Sequence, residues 1–212
     1  MVTRGVAVLG CLVLGCGSDE APPDPGGGDG ADICTEVRME LLTDPGVDQG
    51  RGWSWQEASP WDLPLILNEA EANVSPDTQP YLVWLGGYDS YAGQKQSDTV
   101  WQDDIQVPEG AGALHVTGHA RQVPHDVVDF VSDVAAVDLR RRDPATGEYE
   151  LVENLIAFDN TTLPTRWTEF EAIAAEPHAG ETLSLVLYAT LDDLYTTSFL
   201  FDSLSLSYGD CQ

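Results

Sequence analysis

The sequence predicts an all-β protein, a two-sheet antiparallel jelly-roll β-sandwich, on three observations. Apolar and polar residues alternate over short runs, as in Leu183, Leu185 and Leu187 against Ser184, Val186 and Tyr188. Turn-forming clusters such as Glu109-Gly110-Ala111-Gly112 and Asp143-Pro144-Ala145-Thr146-Gly147 punctuate the chain at strand-length intervals. No segment carries a long helical period. The stretch from Tyr81 to Val107 is the organising one: Tyr81 to Leu85 and Asp98 to Val107 read as two central strands joined by a polar loop. Val100, Gln102 and Asp104 are expected on one face of the second arm, and Trp101, Asp103, Ile105 and Val107 on the other. Gly86-Gly87 gives the first arm a sharp exit, because glycine enters positive φ without penalty.

The chain opens on an address. Arg4 supplies a positive start and Val6 to Leu14 an apolar run too short to span a bilayer, ending Leu14-Gly15-Cys16 before an abrupt polar turn. This resembles the lipobox of bacterial lipoproteins, which implies removal of a signal peptide over residues 1–15, lipidation of Cys16 and an outer-membrane lipoprotein of the cell envelope. Two or three acyl chains there would anchor stably where one is marginal. Residues 16–33, rich in Pro, Gly and Asp, read as a disordered tether, and residues 34–212 as the sandwich domain. With Cys11 removed and Cys16 lipidated, Cys34 and Cys211 remain at the two ends of the domain. An exported compartment permits a disulfide between them, closing a long loop for roughly 2–4 kcal/mol and stapling the terminal strands side by side.

The remaining elements follow in order. Glu36 to Leu42 alternates as a first strand; Asp44 to Gly50 is a turn-rich loop leading to Gly52-Trp53-Ser54-Trp55. Leu63 to Leu67 is a further strand and Asn68 to Gln79 a polar connection. Ala113 to Arg121 alternates Leu114 and Val116 against His115, Thr117 and His119. Val123 to Val131 is ambiguous, with room for a short helix over Asp126 to Asp133. Val134 to Arg142 and Glu148 to Phe158 make a hairpin, and Trp167 to Ile173, Thr182 to Thr190 and Ser198 to Leu206 complete eight to ten strands.

Charge and motifs bound the function. Nine basic residues against 36 acidic ones give a net charge of -27, which excludes nucleic acid and leaves the lipid anchor as the only expected contact with a membrane. No nucleophile-elbow, zincin, Cys-x-x-Cys or phosphate-loop pattern is present, and the chain is expected not to be an enzyme. His115 and His119 lie roughly 13 Å apart on an extended strand, too far to share a metal. Asp103-Asp104 and Asp192-Asp193 are not catalytic pairs, because neighbours on a strand point to opposite faces.

Four motifs then resemble the galactose-binding-like jelly rolls of secreted bacterial proteins, which include many carbohydrate-binding modules: Asp44-Pro45-Gly46-Val47-Asp48 before Gly52-Trp53; Val83-Trp84-Leu85-Gly86-Gly87 before Asp98-Thr99-Val100-Trp101-Gln102; Trp167; and Ser198-Phe199-Leu200-Phe201-Asp202-Ser203-Leu204-Ser205-Leu206. The resemblance implies a structural calcium held by Asp48 and Asp202. It also puts Trp53, Trp84, Trp101 and Trp167 in the core. Trp55 and Trp61 fall outside the motifs, around a polar loop with Gln56 and Glu57, and are the expected platform for a glycan, with Tyr88, Tyr91 and Tyr195 in other loops expected to line the same rim. The alternative partner is another envelope protein, contacted by a structural or adhesion module that binds no sugar.

Overall fold

The computed structural model describes residues 36–78, 80–87, 94–124, 129–193 and 197–211. Cys16, Cys34, Tyr88, Tyr91, Tyr195, His125 and the helix expected from Asp126 lie wholly or partly outside them. Among the described residues eleven strands form two antiparallel sheets. In order they are β1 Glu36–Glu40, β2 Trp55–Ala58, β3 Ile66–Asn68, β4 Tyr81–Leu85, β5 Gln96–Gln106 and β6 Leu114–Pro124, then β7 Val134–Arg142, β8 Tyr149–Asp159, β9 Thr168–Ile173, β10 Thr182–Leu191 and β11 Thr197–Cys211. One sheet has six strands in the order β3-β4-β11-β6-β9, with β1 paired to β11; the other has five, β2-β5-β10-β7-β8. The two-sheet sandwich is as the alternation predicts, with more strands than the eight to ten expected.

Between the sheets lies one core, built from inward residues such as Leu114, Val116, Val137, Leu139, Leu185, Leu187, Phe199 and Phe201. Phe158 bridges from the edge strand β8 to Phe170 and Phe201, with ring centroids 5.4 and 5.6 Å away in edge-to-face contact. A second, smaller cluster sits on the outer face of the six-stranded sheet: Leu67, Ala72, Leu82 and Leu200, with Trp84 and Trp167 packed against it. Its cover is the 68–78 segment, which begins with a one-turn helix, α1 Glu69–Ala72. The Asn68 side chain caps Ala70 and Glu71 amides while Glu71 returns to the Asn68 amide.

Three expectations change. β4 and β5 are not the central pair of one sheet: they lie in opposite sheets, and β11 and β10 are the middle strands. The link begins at Gly86 and Gly87, at φ 73° and 70°, and a Cβ on Gly87 would sit 1.8 Å from Ser198 Oγ. Buried Asp98 of β5 accepts the Gly86 amide at 2.7 Å and ties the crossing down. Gln56 and Glu57 belong to strand β2, paired with β5, rather than to a loop. Finally, strict alternation fails in β5 and β11. In β5, Leu185 pairs with Gln102 but Leu183 with Ile105, so one extra residue is inserted and Asp104 adopts φ 58°. In β11, Asp202 pairs with His119 but Ser205 with Thr117, and Ser203 adopts φ 54°.

Candidate binding face on the five-stranded sheet

The bulge in β5 decides which side chains this sheet shows to solvent. Before it, Val100 and Gln102 point inward; after it, Ile105 and Val107 do. Trp101 and Asp103 are therefore turned outward, onto a face shared with Gln56 of β2, Ser184, Val186 and Tyr188 of β10, Asp138 and Arg140 of β7, and Tyr149 of β8. Trp101 is half-buried on this face and meets Tyr149 edge-on at 6.2 Å. Ala58, Thr99, Trp101, Arg140, Tyr149 and Val186 enclose a hollow of ≈ 240 Å³. A larger one, ≈ 610 Å³, adjoins the β7–β8 turn and is lined by Asp104, Arg142, Thr182 and Ser184 among others.

Two carboxylates organise the polar groups of the face. Asp103 accepts Gln56 Nε2 and Trp101 Nε1 at 3.0 Å, the Tyr149 hydroxyl at 2.7 Å and the Ser184 hydroxyl at 2.5 Å. Burial opposes its charge, but the bonds from Ser184, Tyr149, Trp101 and Gln56 outweigh it and hold the carboxyl below its ordinary value. Burial, then the Asp103 carboxylate, pushes the Tyr149 phenol up to about 12. Asp138 accepts Arg140 Nε and Nη2 at 3.1 and 2.8 Å and Asn154 Nδ2 at 2.8 Å. The Arg140 guanidinium lies 5.1 Å over Tyr188, and Arg142 lies 6.0 Å over Tyr149. Flat ring faces beside fixed polar groups suit a ligand that is apolar on its faces and polar at its edges.

The expected site residues distribute differently. Trp55 cannot form a platform: it is 1% exposed, points into the core and donates Nε1 to the Asp44 carbonyl at 2.9 Å. Trp61 is half-buried just beyond β2. Trp53, expected in the core, is 66% exposed, and Trp101 faces out because the bulge changes the parity of β5. Trp84 and Trp167 pack on the second cluster rather than between the sheets. The signal for Trp101 was present: Val100 and Ile105 are both core-type residues of opposite parity in one strand, which requires an inserted residue between them.

The residues implied for calcium do not fit it. Asp202 is wholly buried, and Oδ2 accepts the Thr78 amide at 2.9 Å while Oδ1 accepts the Thr78 hydroxyl at 3.0 Å and the Ser203 amide at 2.6 Å. Donors surround it where a hard cation needs oxygens. Asp48 is exposed, and among the described residues no group of three or more His, Cys, Asp or Glu is gathered for a metal. His115 and His119 each meet a separate carboxylate, Glu171 at 3.6 Å and Asp77 at 2.9 Å. Asp192 donates its amide to Asp133 at 3.0 Å and sits at the end of β10.

No family model matches the sequence, and no curated protein matches it. Solved structures do resemble the fold. TmCBM61, solved in complex with β-1,4-galactotriose, superposes with a TM-score of 0.51 at 13% identity, over 79% of this chain and 97% of its own. A structure from work on the promiscuous specificity of carbohydrate-binding modules of the β-sandwich superfamily gives 0.50 at 11% identity, over 77% and 60%. The protein shares the β-sandwich architecture of carbohydrate-binding modules.

Proposed function

We propose that the chain is a non-catalytic, lipid-anchored envelope protein whose sandwich binds a glycan on the outer face of the five-stranded sheet. The observation that carries this reading is Trp101, turned outward by the β5 bulge and set against Tyr149 around an open hollow with fixed polar walls. Sugar rings offer apolar faces to aromatic side chains and hydroxyls to the groups beside them. The likeness to TmCBM61, which was solved with a galactotriose, is in keeping with it. The anchor at Cys16, the signal peptide over residues 1–15, the tether over residues 16–33 and the Cys34–Cys211 disulfide belong to the same proposal. In its favour, β1 and β11 lie side by side with Glu36 opposite Cys211.

A glycan array probed with the parent chain and Trp101→Ala tests the site. The substitution is expected to weaken each hit by about tenfold or more, the scale of losing an aromatic anchor. Unchanged binding by a folded variant removes this face. Trp61→Ala, Tyr88→Ala and Tyr91→Ala on the same array show whether the expected rim contributes. Intact mass before and after reduction tests the disulfide.

A further inference from the structure

The hydrogen bonds at Asp103 run in one direction. Gln56 from β2, Trp101 from β5, Tyr149 from β8 and Ser184 from β10 all donate to this one carboxylate. An indole N–H bonded there has nothing left to give. A phenol or serine hydroxyl that has donated its hydrogen offers only lone pairs, and Gln56 keeps Oε1 free of any bond among the described residues. Asp138 takes Arg140 Nε and Nη2 and Asn154 Nδ2 in the same way but only in part, since the guanidinium keeps three further N–H groups and Asn154 one. Around Asp103 the floor is therefore rich in acceptors, with Arg140 and the second Gln56 N–H the donors that stay beside them.

We infer that Asp103 is the residue that sets ligand class at this face: by taking a hydrogen from each of four side chains it leaves acceptors, which select neutral, hydroxyl-bearing sugar rings over sulfated or uronate-bearing ones. The inference rests on the glycan reading above. A sugar hydroxyl can donate into Tyr149 Oη or Gln56 Oε1; a sulfate or carboxylate there would set acceptor against acceptor and lose the water that solvated it. The net charge of -27 adds a long-range repulsion of the same sign. Arg142, at the rim over Tyr149 and without an ion pair among the described residues, works the other way, as do the unused N–H groups of Arg140, which is paired with Asp138. The outcome is thus a contest between floor and rim that an experiment can read. Asp103 is a positioning residue here: it fixes the edge of the Trp101 ring and the orientation of the Tyr149 hydroxyl. Because its carboxyl sits below the ordinary range, the arrangement persists in mildly acid solution.

The test sets the full chain, Asp103→Asn and Tyr149→Phe against an array of neutral, uronate-bearing and sulfated oligosaccharides. In parallel, the indole N–H resonance of Trp101 is followed in ¹⁵N-labelled protein and assigned with Trp101→Phe. Neutral glycans are expected as the hits of the parent chain. Asp103→Asn is expected to lose about tenfold on them and to shift the Trp101 indole resonance upfield, as its charged acceptor is replaced by an amide. Tyr149→Phe, which leaves the carboxylate in place, is expected to lose several-fold. Sulfated or uronate-bearing hits as strong as the neutral ones overturn the inference and leave the glycan reading intact. So does unchanged binding of neutral hits by either folded variant. An array with no hit for the parent chain overturns the glycan reading, and the assignment to Asp103 goes with it.

Discussion

The bulges in β5 and β11 each turn an aspartate toward the outside of its sheet, and the two carboxylates end in opposite situations. Asp202, on the six-stranded sheet, is sealed beneath the 75–78 segment and held by the Thr78 and Ser203 amides and the Thr78 hydroxyl. Asp103, on the five-stranded sheet, is half-buried and held only by side chains, which also form the walls of an open face. Asp202 joins one stretch of backbone to another and so secures a cover over the second apolar cluster. Asp103 joins four side chains and so fixes what the surface presents. One local device, a single inserted residue, serves closure on one sheet and display on the other.

Their titration differs in the same sense. Burial raises the Asp202 carboxyl above its ordinary 3.8 even though hydrogen bonds from Thr78 and Ser203 oppose it, whereas at Asp103 the bonds win and the value falls. For Asp202 the folded state holds its proton more tightly than the unfolded one. Stability therefore falls as pH rises from 3.8 through the raised folded value. For Asp103 the stabilising contribution is present above 3.8 and is lost as pH falls through the lowered folded value.

Removing the Asp202 carboxylate should have the largest effect. Asp202→Ala strands two part-buried amides and a hydroxyl and leaves a cavity at a wholly buried position, and is expected to cost about 3 kcal/mol in denaturant unfolding, with glycan affinity unchanged. Lost affinity with intact stability would reverse the roles assigned to the two sheets. Trp101→Ala should show the converse, a loss of about tenfold in binding with a stability change under about 1 kcal/mol. Next come the pH profiles of thermal unfolding. Asp202→Asn should flatten a gain in stability that the parent shows as pH falls toward 3.8, and Asp103→Asn a loss that it shows below 3.8; identical profiles would deny the contrast. Trp53→Ala should be smallest, within about 0.5 kcal/mol, because the ring is mostly in solvent; a larger loss would mean the 51–54 turn carries packing that the fold does not show.

The architecture was legible because two-residue alternation is enforced wherever one face of a sheet is buried. Ala135, Val137 and Leu139, spaced two apart along β7, all pack in the core between the sheets. The hairpin of β7 and β8 was announced by Asp143-Pro144 and Gly147, and the positive φ of Gly86 and Gly87 by their pairing. The outer face of the five-stranded sheet was misread for one physical reason. A bulge preserves hydrophobicity on each side of itself but shifts its parity, so counting in twos through Asp103-Asp104 put Trp101 on one face with Ile105 and Val107, in agreement with the core position that the resemblance implied. Trp55 was misplaced for another. β2 is four residues long, too short for alternation to stand out beside the charged Glu57. That Glu57 is itself bound, accepting the Leu65 and Ile66 amides, is a contact between chain segments that no local pattern reveals.

The pairing of β1 with β11 has a mechanical consequence. Five residue pairs, from Glu36 opposite Cys211 to Glu40 opposite Ser207, hold the first strand to the middle strand of its sheet. A pull applied at Glu36 along the strand axis loads that whole ladder together in shear, whereas a pull across it would open the pairs one at a time from the end. Drag from a bulky polymer gripped by the opposite sheet would meet its greatest resistance when directed along β1.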